Sequence, residues 1–297
     1  MKTQRLYLYA LDPTHIGAGG YRLGRVDKTI LRDAATQLPK IPGTSISGVV
    51  RTAAIYSLPE PARQQAIDYA RQTLDRPAQV RGGADDPVAR YFGFAEGEEG
   101  SARIGMVAFR DAHILAFPVP TMVGPRWVTT THLLAEAGCD GAPEPEDIAA
   151  VISPGREGSG PRKLNLGTWL LTAQPGDIPF PPDLEGQPGM DYVKRQLVVV
   201  HPDLFPTLVE ANLETRTSVN IDFATGTAAE GLLFTYEATP RGTLFRAQVE
   251  LDDERFPDLC DPALVLLERA LPLACQWGLG GMTTRGFGRM RPLLVGE

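Results

Sequence analysis

The sequence predicts an α+β fold, a sheet backed by helices, and three observations predict it. Period-two alternation opens the chain, helical periodicity recurs at three places, and short apolar runs bounded by turn residues fill much of the remainder. With 297 residues and 43% apolar composition, the chain can bury a substantial core. We read one domain over residues 1–297, with an insertion or mobile region at about 138–190.

The elements follow in order. From Gln4 to Leu11, Leu6, Leu8 and Ala10 alternate with Tyr7, Tyr9 and Leu11, and the aromatic content favours a strand. THIGAGG is a glycine-rich turn, and a long segment then runs to Pro42 and Gly43, after which Thr44 or Ser45 can cap a helix. Ile46, Val49, Val50, Ala53 and Ala54 recur at helical spacing and mark its buried face. A second helical stretch spans Ala62 to Leu74, and a polar, glycine-rich passage ends near Gly100. Ile104 to Phe109 and Ile114 to Val119 look like paired strands around Arg110 to His113. Between Ala137 and Pro182, Gly, Pro and charge dominate, including SPGREGSGPRK, which reads as insertion or mobile loop.

Beyond it come a β-rich run at Gln196 to Val200 and TSVNIDFATGTAAEGLLFTYEATPRGTLFRAQVEL, which fits two or three antiparallel strands. Asp261 and Pro262 open the last helix in the cap-then-proline order, with Leu264, Leu267, Ala270, Leu271 and Ala274 on its core face. GLGGMTTRGFGRMRPLLV closes the chain as a glycine-rich loop feeding a short strand. This order is that of an elaborated ferredoxin-like domain, the architecture that also underlies the RNA-recognition motif. Such sheets host many unrelated activities, so function must be argued from residues.

Composition removes several classes. No run approaches the roughly 20 apolar residues that cross a bilayer, and MKTQRLYLYALDPTH has no apolar core or cleavage site, so we expect a cytoplasmic protein with no membrane partner. Cys139, Cys260 and Cys275 are too few and scattered for a disulfide framework or metal clip and read as buried thiols. His15, His113, His132 and His201 lack zinc-site spacing, so a metal would need help from substrate. The net charge of −7 weighs against nucleic acid. Yet in residues 1–51 basic side chains outnumber acidic ones eight to three, and the tail adds Arg285, Arg289 and Arg291.

Four residues or groups could carry chemistry. The terminal loop, Gly280 and Gly281 through Thr283, Thr284, Arg285 and Gly286 to Gly288 and Arg289, lets backbone N–H groups approach a phosphate closely; its other reading is a tight turn at a helix end. It matches no Rossmann or Walker spacing, which argues against a nucleotide-dependent enzyme. Asp27, flanked by Arg25, Lys28 and Arg32, either forms ion pairs, holds a divalent cation beside RNA, or orients a ribose 2′-hydroxyl. His15 is a candidate acid or base, or a local hydrogen-bonding group. Glu237 is a second candidate acid, or a strand-end carboxylate.

At THIGAGG, VDKTILRD, LPKIPGTSISGVVR and GLGGMTTRGFGRMR, in that order, the sequence resembles the RAMP superfamily, the RNA-binding subunits of CRISPR complexes. YFGF, FRDAHILAFPVPTMVGPRWVTTTHLL and VNIDFATGTAAEGLLFTYEATPRGTLF resemble, within it, the Cas7-like backbone subunits of type III-B (Cmr) effectors. The resemblance implies a ferredoxin-like palm with helical insertions and a protruding β-hairpin thumb. It implies copies stacked along one guide RNA beside other type III subunits, with target RNA cut at intervals of about six nucleotides. Cleavage would be metal-assisted transesterification needing Mg²⁺ or another divalent cation.

The resemblance places that chemistry on Asp27, with RNA oxygens completing a metal site, and puts His15 and Glu237 nearby. It assigns RNA contacts to Gly17, Arg25, Lys28, Ser45, Ser47, Arg51 and the terminal-loop residues Gly280, Gly281, Thr283, Thr284, Arg285, Gly286 and Arg289. One position departs: the usual lysine of the GSSLKG motif is Ser47, which removes a guide-phosphate contact that Arg51 could replace. Two other readings stay open, a scaffold without nuclease activity and a repeat-processing endoribonuclease of the same superfamily.

Overall fold

The computed structural model describes every residue except 20–25, 76–78, 80, 97–100, 146–149, 153–161, 222–223, 225 and 297. In chain order come β1 (Lys2–Ala10), β2 (Lys40–Ile41), α1 (Gly43–Ser57), α2 (Ala62–Asp75), α3 (Ala89–Phe92), β3 (Gly93–Ala95), β4 (Ala102–Ile104), β5 (Val107–Phe109) and β6 (Ala112–Val119). Then follow β7 (Arg126–Thr129), α4 (Thr131–Glu136), β8 (Ala150–Ile152), β9 (Arg162–Leu166), β10 (Trp169–Pro175), α5 (Met190–Arg195), β11 (Leu197–Val200) and α6 (Phe205–Ala211). The chain ends with β12 (Glu214–Ile221), β13 (Ala228–Ala238), β14 (Leu244–Leu251), α7 (Cys260–Trp277) and β15 (Met290–Gly296).

The chain divides into two compact units that alternate along the sequence. The first comprises Met1–Leu8, Ile41–Ala112 and Ala247–Glu297, the second Tyr9–Lys40 and His113–Arg246.

In the first unit the strands lie in the order β15, β1, β14, with β5 on the far edge of β14. Helices α1 and α7 pack against each other, burying Ile46, Val50, Ala53 and Ala54 from one and Ala263, Leu266, Leu267, Ala270, Leu271 and Ala274 from the other. That is the helical periodicity of the sequence turned into a core. The expected cap of α1 is replaced. Neither Thr44 nor Ser45 caps it; the Gly43 N–H donates to the Asp111 carboxylate at 2.9 Å instead, so a distant residue satisfies the helix end.

In the second unit the order is β6, β7, β11, β8, β10, β9. Neighbours alternate in direction: β6 and β7 run antiparallel, β7 and β11 parallel, β11 and β8 antiparallel, β8 and β10 parallel, and β10 and β9 antiparallel. The core of this mixed sheet is β11, whose four residues LVVV are all buried, as a strand covered on both faces requires. Stretches read from sequence as loop therefore supply β8, β9 and β10. Short runs such as AVI and RKLNL carry weak signals alone and become strands because neighbours complete their ladders.

The two runs expected to pair with each other do not. In the first unit β5 pairs antiparallel with Val249–Leu251, and in the second β6 pairs antiparallel with Leu244–Arg246. The hairpin β12–β13 forms its own two-stranded sheet, with Glu214 opposite Ala238 and Thr217 opposite Thr235. No helix among the described residues is long and apolar enough to cross a membrane.

Candidate functional site

The root of the β12–β13 hairpin gathers the sequence-predicted chemistry of the second unit. Beside β13, the segment around Lys28 makes a parallel bridge to Tyr236. The N–H groups of Asp27 and Lys28 both donate to the Thr235 carbonyl at 3.1 Å, and the Glu237 N–H donates to the Lys28 carbonyl at 3.0 Å. The THIGAGG turn pairs in turn with this segment: Leu31 N–H donates to the Ile16 carbonyl at 2.7 Å and Ala18 N–H to the Thr29 carbonyl at 3.1 Å. Thr14 and Thr239 exchange both backbone hydrogen bonds at 2.9 Å. Two neighbouring stretches, 14–18 and 27–31, thus join the distant 235–239 in one hydrogen-bonded patch.

Among the described residues Thr235 holds the Asp27 carboxylate. Its Oδ2 accepts from the Thr235 backbone N–H at 2.8 Å and from the Thr235 hydroxyl at 2.9 Å, while its own N–H lies 3.1 Å from that hydroxyl oxygen. These donors favour the charged form. The Thr235 N–H first, then its hydroxyl, with Lys28 adding attraction, hold the Asp27 carboxyl below its ordinary value, so it is ionised near neutral pH. Asp27 is half-buried, and Lys28 is exposed with its ammonium 5.6 Å from the centre of the Phe234 ring.

His15 is buried, and its Nδ1 sits 2.6 Å from the Glu237 carbonyl oxygen. A carbonyl only accepts, so Nδ1 carries a proton and donates it. The ring's Nε2 faces Gly17: a Cβ placed there would come within 3.3 Å of it. Glu237 has a different setting. Its Oε2 accepts from the Ile30 N–H at 3.3 Å and from Arg32 at 3.1 Å, and Oε1 accepts from Arg32 at 3.3 Å. Arg32 also donates to Glu210 at 2.9 Å. Burial opposes the charge on Arg32, and Glu237 and Glu210 hold its guanidinium above the ordinary value. The carboxylate of Glu237 is thereby occupied in pinning the Asp27 segment to the hairpin.

Sequence reasoning missed two members of this patch, Thr235 and Arg32 as a partner of Glu237. The available signal was that Thr235 and Glu237 lie two apart on a strand and so share a face. Arg25 lies outside the described residues, as does most of SPGREGSGPRK.

The remaining predicted RNA contacts lie in the first unit. On α1, Ser45, Ser47 and Arg51 are half-buried, and Arg51 lies within electrostatic range of the Tyr69 hydroxyl. After α7, the loop closes on itself through the Leu279 N–H to the Gly288 carbonyl at 2.8 Å and is anchored by buried Phe287. A short 3-10 turn, Thr283–Arg285, follows Met282 at φ +61°, with Gly286 and Gly288 both at +81°. A Cβ on Gly288 would meet the Leu279 carbonyl oxygen at 2.4 Å, so only glycine fits. Gly280, Gly281, Thr284, Arg285, Gly286 and Arg289 are exposed, and Thr283 is half-buried.

Among the described residues no group of three or more His, Cys, Asp and Glu side chains could hold a metal ion. Among those residues the donors to the Asp27 carboxylate reach Oδ2 alone, so Oδ1 remains a hard oxygen ligand of the kind Mg²⁺ takes singly alongside phosphate oxygens and water. The three cysteines are buried free thiols, and burial pushes Cys275 up to about 12.

The sequence matches the RAMP superfamily over residues 7–291, and the chain belongs to that superfamily. Within it, the chain is 27% identical over 264 residues to the CRISPR system Cmr endoribonuclease Cmr4 of Pyrococcus furiosus, covering 82% of this chain and 80% of that one. A crystal structure of oligomeric Cmr4 from Pyrococcus furiosus has the same fold at a TM-score of 0.58 and 20% identity, covering 100% of this chain and 99% of that one. A cryo-EM structure of the type III-B Cmr-beta bound to cognate target RNA contains a chain with a TM-score of 0.67 at 14% identity, covering 99% of this chain and 97% of that one.

Proposed function

We propose that the chain is the repeating backbone subunit of a type III-B CRISPR ribonucleoprotein, and that it cleaves guide-paired target RNA through Asp27. The observation that carries the reading is the ionised Asp27 carboxylate, fixed at the root of the β12–β13 hairpin with no donor on its other oxygen among the described residues. Superfamily membership and the likeness to a Cmr endoribonuclease support it. In this reading the hairpin is the thumb that interrupts the duplex, and the helix-backed sheet of the first unit is a ferredoxin-like palm.

Guide RNA lies on α1 and the terminal glycine loop. Backbone N–H groups and arginines there meet phosphate without reading bases, so any guide is accepted and base pairing supplies sequence specificity. Copies along one guide sum their modest individual contacts, which reconciles RNA binding with a net charge of −7.

Cleavage is a transesterification. The target 2′-oxygen attacks the adjacent phosphorus, the P–O5′ bond breaks, and the products are a 2′,3′-cyclic phosphate and a 5′-hydroxyl. Asp27 orients the 2′-hydroxyl and accepts its hydrogen bond through Oδ1. His15, whose Nδ1 is committed to the Glu237 carbonyl, is the group assigned to take up or relay the proton through Nε2. A divalent cation bound by Asp27 and RNA oxygens would supply charge neutralisation at the phosphate.

The deciding experiment is cleavage of an end-labelled, guide-complementary RNA by the reconstituted complex with Mg²⁺, wild type against Asp27→Asn. Regularly spaced cuts that vanish in the variant, with assembly intact, establish the nuclease. Undiminished cutting by the variant moves the chemistry off Asp27, and no cutting by either complex leaves a scaffold.

A further inference from the structure

Asp27 lies at a bend beside β13, and among the described residues Thr235 holds it through its N–H, hydroxyl and carbonyl. The Thr235 N–H and hydroxyl both donate to Oδ2, and the Asp27 N–H returns to the hydroxyl oxygen and to the Thr235 carbonyl. Thr235 stands on β13 opposite Thr217, inside the hairpin itself. We infer that Thr235 is a positioning residue for RNA cleavage: it commits Oδ2 to the hairpin, presents Oδ1 to the reacting ribose, and makes the hairpin's placement on the duplex set the placement of Asp27. The inference rests on the proposed role of Asp27.

The physical reason is the steep cost of misplacement. A reacting group displaced by about 1 Å loses on the order of 100-fold in rate. Among the described residues the Thr235 hydroxyl is one of two donors on Oδ2, and the Thr235 N–H is the other. Valine in place of Thr235 keeps the β-branched shape and the strand preference while removing the hydroxyl.

The test compares Thr235→Val and Thr235→Ser in the full reconstituted complex with guide and Mg²⁺. Single-turnover cleavage is followed at saturating and at limiting target RNA, and target affinity is measured by filter binding. Thr235→Val is expected to lower the rate at saturating target by about 10- to 100-fold with target affinity unchanged. Thr235→Ser is expected to restore it to within about threefold, and adding Thr235→Val to Asp27→Asn is expected to cost nothing further.

Should the valine complex fail to assemble, Thr235→Ala against Thr235→Ser decides, because both lack the methyl group and differ only in the hydroxyl. A valine or alanine variant that cuts at the wild-type rate, while Asp27→Asn is inactive, overturns this inference alone. So does a serine variant as impaired as valine. An active Asp27→Asn complex instead overturns the proposed function, and this inference with it.

Discussion

Single side chains here owe their chemistry to backbone donors more than to neighbouring charges. Asp27 is held ionised chiefly by Thr235, and Asp33 repeats the device: the N–H groups of Thr36 and Ala35, with Lys40 adding attraction, bring its carboxyl down to about 2. The unfolded value is about 3.9, so the ionised carboxylate stabilises the fold. That contribution is fully present above about pH 5 and is lost as pH falls through about 2. Asp33→Asn should therefore cost about 1 kcal/mol at pH 7, a figure reduced for partial solvent exposure, and the difference should shrink as the pH approaches 2. Chemical denaturation of both proteins across that range measures it; a constant difference would mean the charge is irrelevant.

At the scale of elements, the Arg32–Glu237 pair joins the Asp27 segment to β13, with both side chains largely buried at 18% and 14% exposure. Removing Glu237 leaves the largely buried Arg32 with Glu210 as its remaining carboxylate partner among the described residues, at 2.9 Å. Glu237→Ala is expected to destabilise the fold by about 2 kcal/mol and to speed hydrogen exchange at the Ile30 amide, which loses its acceptor. Helix α1 supplies a paired contrast. A Cβ on Gly43 would lie 2.0 Å from the Phe109 carbonyl oxygen, whereas one on Gly48 meets nothing within 4 Å. Gly43→Ala should cost about 3 kcal/mol or more, or prevent soluble expression, while Gly48→Ala should add about 0.5–1 kcal/mol by lowering unfolded-chain entropy. Thermal denaturation ranks the two, and equal effects would contradict the packing described.

Over the whole molecule, an acidic chain keeps exposed Arg285 and Arg289 on one glycine-rich loop. If these arginines meet guide phosphates, replacing either by alanine should weaken guide binding without altering guide-sequence preference. On single-stranded RNA the slope of log affinity against log salt should fall by about 0.7 for each phosphate that the protein no longer neutralises. Filter binding of the assembled complex at several salt concentrations gives that slope, and an unchanged slope places the guide elsewhere.

What was legible in the sequence was local. The alternation of Leu6, Leu8 and Ala10, the helical spacing of Ile46, Val50, Ala53 and Ala54, and the glycines of the terminal loop each depend on neighbours a few residues away, and each forms the element expected. The motifs around Asp27 and the terminal loop carried the superfamily for the same reason. Tertiary structure alone decided what rests on pairing between distant positions. Asp111 caps α1 across 68 residues, weak runs between 150 and 175 become sheet strands, and Thr235 grips Asp27 across 208 residues. A hydrogen bond of that separation has no periodicity and leaves no local pattern, since its partners become neighbours only once the chain has folded.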